Sequence, residues 1–265
     1  MNLKRTISFH PKLAAVLDIF FSLALMWWIT KITTPWLLLV WFFFRIGWWV
    51  ALITCMYYPP FISRAKHLVA LAIFNSGLLF FLIFIDWNVA WYLVAALYII
   101  VPVLSFWFVP ERSDELTVFS KPHRRTRFLM SVLGVAGLWS GAEALVVLQI
   151  VTQPLTWVVM AVAAAATVAI SAWWWREYGV PHDKNFLVSA GVLFLIIFEL
   201  AFLTVLLPLG YLVSSLFITW IWYVIWLIFR FALSKEGIDW RRQRSFLLIN
   251  MVLLGIFLGL VARWK

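Results

Sequence analysis

The chain has 265 residues, 65% of them apolar and 12% charged, against about 25% charged in an average soluble domain. With 19 Trp and 24 Phe, no compact soluble domain of this size has the interior to hide so much apolar surface. This excludes a soluble enzyme, a disordered tail, a coiled coil and a secreted disulfide scaffold, and leaves a multi-pass membrane protein. The net charge of +10 does not imply nucleic acid, because in such a protein charge first reports which side the loops occupy. A single cysteine, Cys55, rules out an internal disulfide and a multi-cysteine metal site.

A spanning helix needs roughly 20 apolar residues. In chain order such stretches fall at 13–30, 35–57, 68–85, 88–109, 128–151, 155–175, 186–207, 210–231 and 245–262. The first follows Lys4 and Arg5 as a signal peptide would, but it runs into Thr30 and Lys31 without a small-x-small cleavage site, so a retained span is expected. The runs are continuous rather than alternating, which predicts helices and not barrel strands. The expected fold is an all-α integral membrane bundle of nine transmembrane helices in a single domain, arranged as four tight hairpins plus a ninth helix.

Orientation follows from the basic residues. The N-terminal segment and the connections after spans 2, 4, 6 and 8 hold 17 of the 21 Lys and Arg; the other side holds three, Lys31, Arg263 and Lys265, and Arg45 lies inside span 2. Such a split predicts a cytoplasmic N-terminus and an external C-terminus, in a cell (plasma or inner) membrane. Two basic clusters, Arg124, Arg125 and Arg127 before span 5 and Arg241, Arg242 and Arg244 before span 9, are expected to contact anionic headgroups on the cytoplasmic side. Trp27, Trp28, Trp36, Trp87, Trp91 and Trp157 are expected in an outer aromatic belt, and Trp107, Trp173, Trp174, Trp175 and Trp240 in an inner one. Trp41, Trp139, Trp220 and Trp222 fall near mid-membrane, where they fill the core or line a ligand cavity.

Four ionisable residues fall inside spans: Asp18, Arg45, Glu143 and Glu199. A charge at mid-helix costs about 2.5–3.5 kcal/mol on insertion scales, so each needs a partner or a wet cavity. Counted from the outer span ends, Arg45, Glu143 and Glu199 all lie about 13–16 Å deep at 1.5 Å of rise per residue. This predicts an Arg45–Glu143/Glu199 cluster, with Asp18 shallower on the cytoplasmic side. Trp41, Trp48 and Trp49 share the helical face of Arg45, and Trp139 with Ser140 that of Glu143, so these four Trp are candidate cavity aromatics. Gly137-x-x-x-Gly141 predicts a close helix contact, with the alanines of 161–166 as a matching surface. Spans 5–6 and 7–8 share a glutamate followed by a proline at the turn (Glu143 and Pro154, Glu199 and Pro208), which hints at a repeat.

No catalytic constellation is visible. The four His have no HExxH or Glu-x-x-His neighbour, there is no G-x-S-x-G or Walker loop, and no Lys lies inside a span to carry a retinal. Glu111, Asp114 and Glu115 read as a solvated loop. No metal and no cofactor are expected. Two functions remain: a small secondary transporter or channel that moves a proton or cation past the Arg/Glu cluster, or a structural subunit of a membrane complex. In the second, Gly255-x-x-x-Gly259 is the contact with a membrane-protein partner or another copy.

Overall fold

The computed structural model describes residues 9–32, 34–56, 61–85, 87–109, 120–207, 209–234, 237–238 and 240–260. The described residues form nine helices and no strand beyond one isolated bridge between Phe9 and Met56. The helices are α1 (Pro11–Ile29), α2 (Pro35–Cys55), α3 (Phe61–Phe84), α4 (Asn88–Trp107), α5 (Ser120–Val147), α6 (Gln153–Glu177), α7 (Lys184–Leu206), α8 (Tyr211–Ala232) and α9 (Trp240–Leu260). Eight are long and apolar enough to cross a membrane. The ninth is represented among the described residues by the shorter apolar stretch Gln243–Gly259. The chain is thus an all-helical protein whose apolar helices fit a multi-pass membrane protein.

The starts of these helices follow from residue chemistry. Pro11, Pro35 and Pro154 sit in first turns, where the missing amide costs nothing. His10 caps α1 by accepting from the Lys12 amide, and Asp183 caps α7 by accepting from the Phe186 amide at 2.8 Å. α5 begins before the expected span and ends before it too. Gln149 turns left-handed at φ 54°, and the Ile150 amide reaches back to the Leu145 carbonyl at 3.0 Å, closing a Schellman cap. α6 closes the same way with Gly179 (φ 79°) in the left-handed position and Val180 bonded to the Trp175 carbonyl.

The chain divides into two compact units, Met1–Gly137 and Leu138–Lys265. The first holds α1 to α4 and the N-terminal part of α5. Its interior is aromatic, with Trp41, Trp49, Phe74, Tyr98 and Phe106 fully buried. α3 and α5 meet through glycines: a Cβ on Gly134 would lie 2.6 Å from Ile73 Cγ2 and the Ile73 carbonyl oxygen, and Cβ atoms on Gly77 and Gly137 would strike each other's helix backbone. Gly137 therefore packs against Gly77, so the partner of these glycines is α3 and not the alanine run expected from sequence.

The second unit holds the rest of α5 and α6 to α9. Its indole N–H groups find buried acceptors, as Trp requires when it leaves water. Trp139 donates to Thr167 Oγ1 (3.1 Å), Trp222 to Ser171 Oγ (2.8 Å), and Trp220 to Asn250 Oδ1 (3.0 Å). Trp174 and Trp175 are fully buried, which removes them from the inner belt assigned by sequence; Trp240 is exposed as a belt residue would be.

Candidate functional site

In the first unit the arginine of α2 meets the aspartate of α1. Arg45 Nη1 donates to Asp18 Oδ1 at 2.9 Å and Nη2 to Oδ2 at 3.1 Å, a bidentate fork, while Nη2 also donates to Ser22 Oγ at 2.7 Å. Asp18 Oδ1 accepts two further bonds, from the indoles of Trp48 (3.1 Å) and Trp49 (3.0 Å). The guanidinium rests over Trp49, 4.2 Å from its centroid, and near Tyr98 at 5.3 Å. Tyr98 in turn donates to Asn75 Oδ1 at 2.6 Å, and Trp41 to the Leu25 carbonyl at 3.0 Å. Asp18, Ser22, Arg45, Asn75 and Tyr98 have no exposed surface.

This corrects the expected cluster: the carboxylate partner of Arg45 is Asp18, not Glu143 or Glu199. The physical reason is depth. Asp18 lies about 16 Å of rise before the C-terminal end of α1, and Arg45 about 15 Å after the start of α2, so across the short connection between the two helices they share a level. Trp41, Trp48 and Trp49 are correspondingly walls of a closed ion pair. The ion pair is closed off from solvent, though Arg45 Nε and Asn75 Nδ2 are buried without a hydrogen-bond partner; the bidentate fork suits a fixed register between α1 and α2.

Among the described residues, the other buried carboxylate lies in the second unit. Glu143, in α5, has no exposed surface. With the helix ending at Val147, it lies about 6 Å of rise from that end, nearer the boundary than the expected span implied. Thr204 of α7 donates to Glu143 Oε1 at 2.9 Å, yet the same hydroxyl also lies 2.8 Å from the Ala201 carbonyl. A hydroxyl has one proton, so two acceptors share one donor. Glu143 Oε2 and Ser140 Oγ, one turn earlier on the same helix, are buried without a hydrogen-bond partner. The cluster is one positive donor short.

Above it opens a cavity of about 600 Å³ lined by Val146, Gln149, Val151, Thr152, Gln153, Thr156, Trp157 and Val205. Val146 follows Glu143 by one turn and Val205 follows Thr204 directly, so the cavity floor stands about one turn above the carboxylate. Four lining residues, Gln149, Thr152, Gln153 and Thr156, are polar. Its aromatic wall is Trp157; Trp139, proposed from sequence, is instead fully buried and anchored to Thr167. Gln149 is informative, because a left-handed residue other than glycine is strained by about 1–2 kcal/mol, and α6 uses glycine at the equivalent position.

Glu199 is brought to neither cluster. It is exposed on α7 and makes no hydrogen bond or ion pair among the described residues. Glu143 and Glu199 thus occupy opposite environments, so the hairpin likeness does not extend to their surroundings; Pro208 lies outside the described residues. Of the basic clusters, Arg125, Arg241 and Arg244 are exposed and Arg124 half-buried, but Arg127 is buried, turned toward the imidazoles of α3 and α5 instead of a headgroup. The Arg242 side chain and the loop carrying Glu111, Asp114 and Glu115 lie outside the described residues.

One polar group escaped the sequence reading. His67 and His123 are buried edge-to-face, 4.9 Å between centroids. His67 Nε2 lies 2.8 Å from Ser105 Oγ, and His123 Nδ1–H donates to the Ser105 carbonyl at 3.0 Å. This clamp joins α3, α4 and α5 three residues beyond Pro102. The signal was a pair of histidines at span ends, which reads equally as boundary polarity. Comparisons with protein-family models, curated proteins and solved structures find no match to this chain.

Proposed function

We propose that the protein is a small secondary transporter or channel of the cell membrane in which Glu143, at the foot of the polar cavity, takes up a proton or small cation. The observation that carries this reading is the buried Glu143 Oε2 with no partner, one helical turn before Val146 in the wall of a cavity that Gln149, Thr152, Gln153 and Thr156 also line. Carboxylate and hydroxyl oxygens are the donors a hard cation takes, and a proton on the carboxyl would supply the donor that Thr204 cannot. An ionisable group inside a span is a functional site by default, and here Asp18 and Arg45 are already matched to each other.

In this reading the nine helices form four hairpins plus a ninth, with the N-terminus cytoplasmic and the C-terminus outside, and the cavity at the α5–α6 turn faces outward. The exposed arginines of the cytoplasmic clusters contact anionic headgroups at about 1 kcal/mol each. Reporter fusions should be active as cytoplasmic at the N-terminus and as external at the C-terminus. Both ends on one side would remove the ninth span and reverse the cavity or the tail.

Function is tested by reconstituting the full chain in vesicles carrying an internal pH dye, under an imposed proton, sodium or potassium gradient. Wild type is expected to dissipate at least one gradient, and Glu143→Gln to lower that flux at least tenfold while folding normally. Gln149→Gly, which keeps the turn and deletes the side chain, should also lower it. Equal flux from wild type and Glu143→Gln, or none from wild type, would overturn the proposal. The second reading, a structural subunit of a membrane complex, is favoured by the surface of the second unit, where Glu199, Gly255 and Gly259 are exposed and the two glycines have nothing within 4 Å.

A further inference from the structure

Glu199 stands near the middle of α7 with Leu195 (57% exposed), Leu203 (52%) and Phe202 (41%) around it on the helix surface. An ionisable residue aimed at hydrocarbon is costly, and in membrane proteins such groups face a partner or a wet interior. Nothing in the described chain meets it. All eight Lys lie outside the notional spans, and Arg45, the arginine in mid-span, is already ion-paired with Asp18. A second copy would therefore bring to this level another carboxylate, and like charges repel.

We infer that the α7 face centred on Glu199 is a docking surface for a transmembrane helix of a different protein carrying a Lys or Arg in mid-span. The carboxylate supplies the one point of charge on an otherwise apolar face, so a cation at matching depth gives both attraction and register, and the surrounding Leu and Phe supply packing area. Lipid is as apolar as those side chains, so packing alone does not select a partner; the charge does. The inference rests on the exposure of α7 and is independent of the role given to Glu143.

The test uses the full chain in vesicles, labelled with a donor fluorophore at the exposed Cys55. The probes are acceptor-labelled synthetic poly-leucine helices with a single central Lys, Leu or Glu. The Lys helix is expected to associate at least tenfold more tightly than the Leu helix, and Glu199→Leu, a surface change that leaves the fold intact, should erase that difference. Glu143→Gln should bind the Lys helix as wild type does, which separates this result from the transport reading. Equal association of the Lys and Leu helices, an unchanged preference in Glu199→Leu, or Glu199-dependent self-association of the chain would each overturn the inference.

Discussion

Arg45→Ala should destabilise the first unit by about 3–5 kcal/mol, the usual cost of removing one partner of a buried pair. The loss is large because Asp18 keeps its two indole donors but loses the guanidinium that neutralises it, and Asp18 has no exposed surface. Asp18→Ala should be comparably harmful, leaving a guanidinium held by Ser22 and aromatic faces alone. Replacing both, with Asp18→Leu and Arg45→Met, should cost less than the two single changes added together, because no buried charge remains. Denaturant titration in detergent micelles, followed by helical circular dichroism, measures all four proteins. Additive losses would mean that the pair does not act as a unit.

The second large effect is steric. Gly77→Val should destabilise by about 3 kcal/mol or more, at the top of the range for overpacking, because the obstacle is the backbone of α5 and not a side chain that can swing away. Gly137→Val should behave alike from the other side of the same contact. Gly47 is the control. It lies inside α2, and a methyl group added there would have nothing within 4 Å, so Gly47→Ala should be neutral or stabilising by up to about 1 kcal/mol through helix propensity. Equal behaviour of Gly47 and Gly77 in thermal melts would show that the glycine contact does not hold α3 to α5.

Much of the helix pattern was legible in the residues. Long apolar runs are what a span requires, and Pro11, Pro35 and Pro154 mark first turns by a local rule that needs no tertiary information. Pairing of the charges was less legible, and the reason is geometric. Depth counted from a span's end depends on which end is used: Asp18 read from Lys12 looks shallow, and read from Ile29 it matches Arg45. Glu143 was misplaced for a related reason, since its helix stops at Val147 and is closed by a left-handed Gln149, a residue that carries none of glycine's preference for that conformation and so leaves no stop signal.

The contrast between Glu143 and Glu199 was not legible at all. In a soluble helix, the polar face separates outside from inside; in a bilayer both are apolar, so a glutamate among Leu and Phe reads the same whether it faces a neighbour or lipid. Only packing distinguishes the buried carboxylate bonded to Thr204 from the exposed one. The glycines illustrate the converse. A small-residue pattern announces close approach, yet Gly137 serves α3, while Gly255 and Gly259 have open space.

The proposed function requires that solvent and cations reach Glu143, which has no exposed surface in the structure, while Asp18 stays closed in its ion pair. It is tested most directly by treating reconstituted vesicles with a water-soluble carbodiimide and an amine nucleophile, then reading modified carboxyls by peptide mass spectrometry. Adducts are expected on Glu143, declining as external cation is raised, and none on Asp18 until the protein unfolds. Modification of Asp18 as fast as Glu143, or of Asp18 alone, would contradict it.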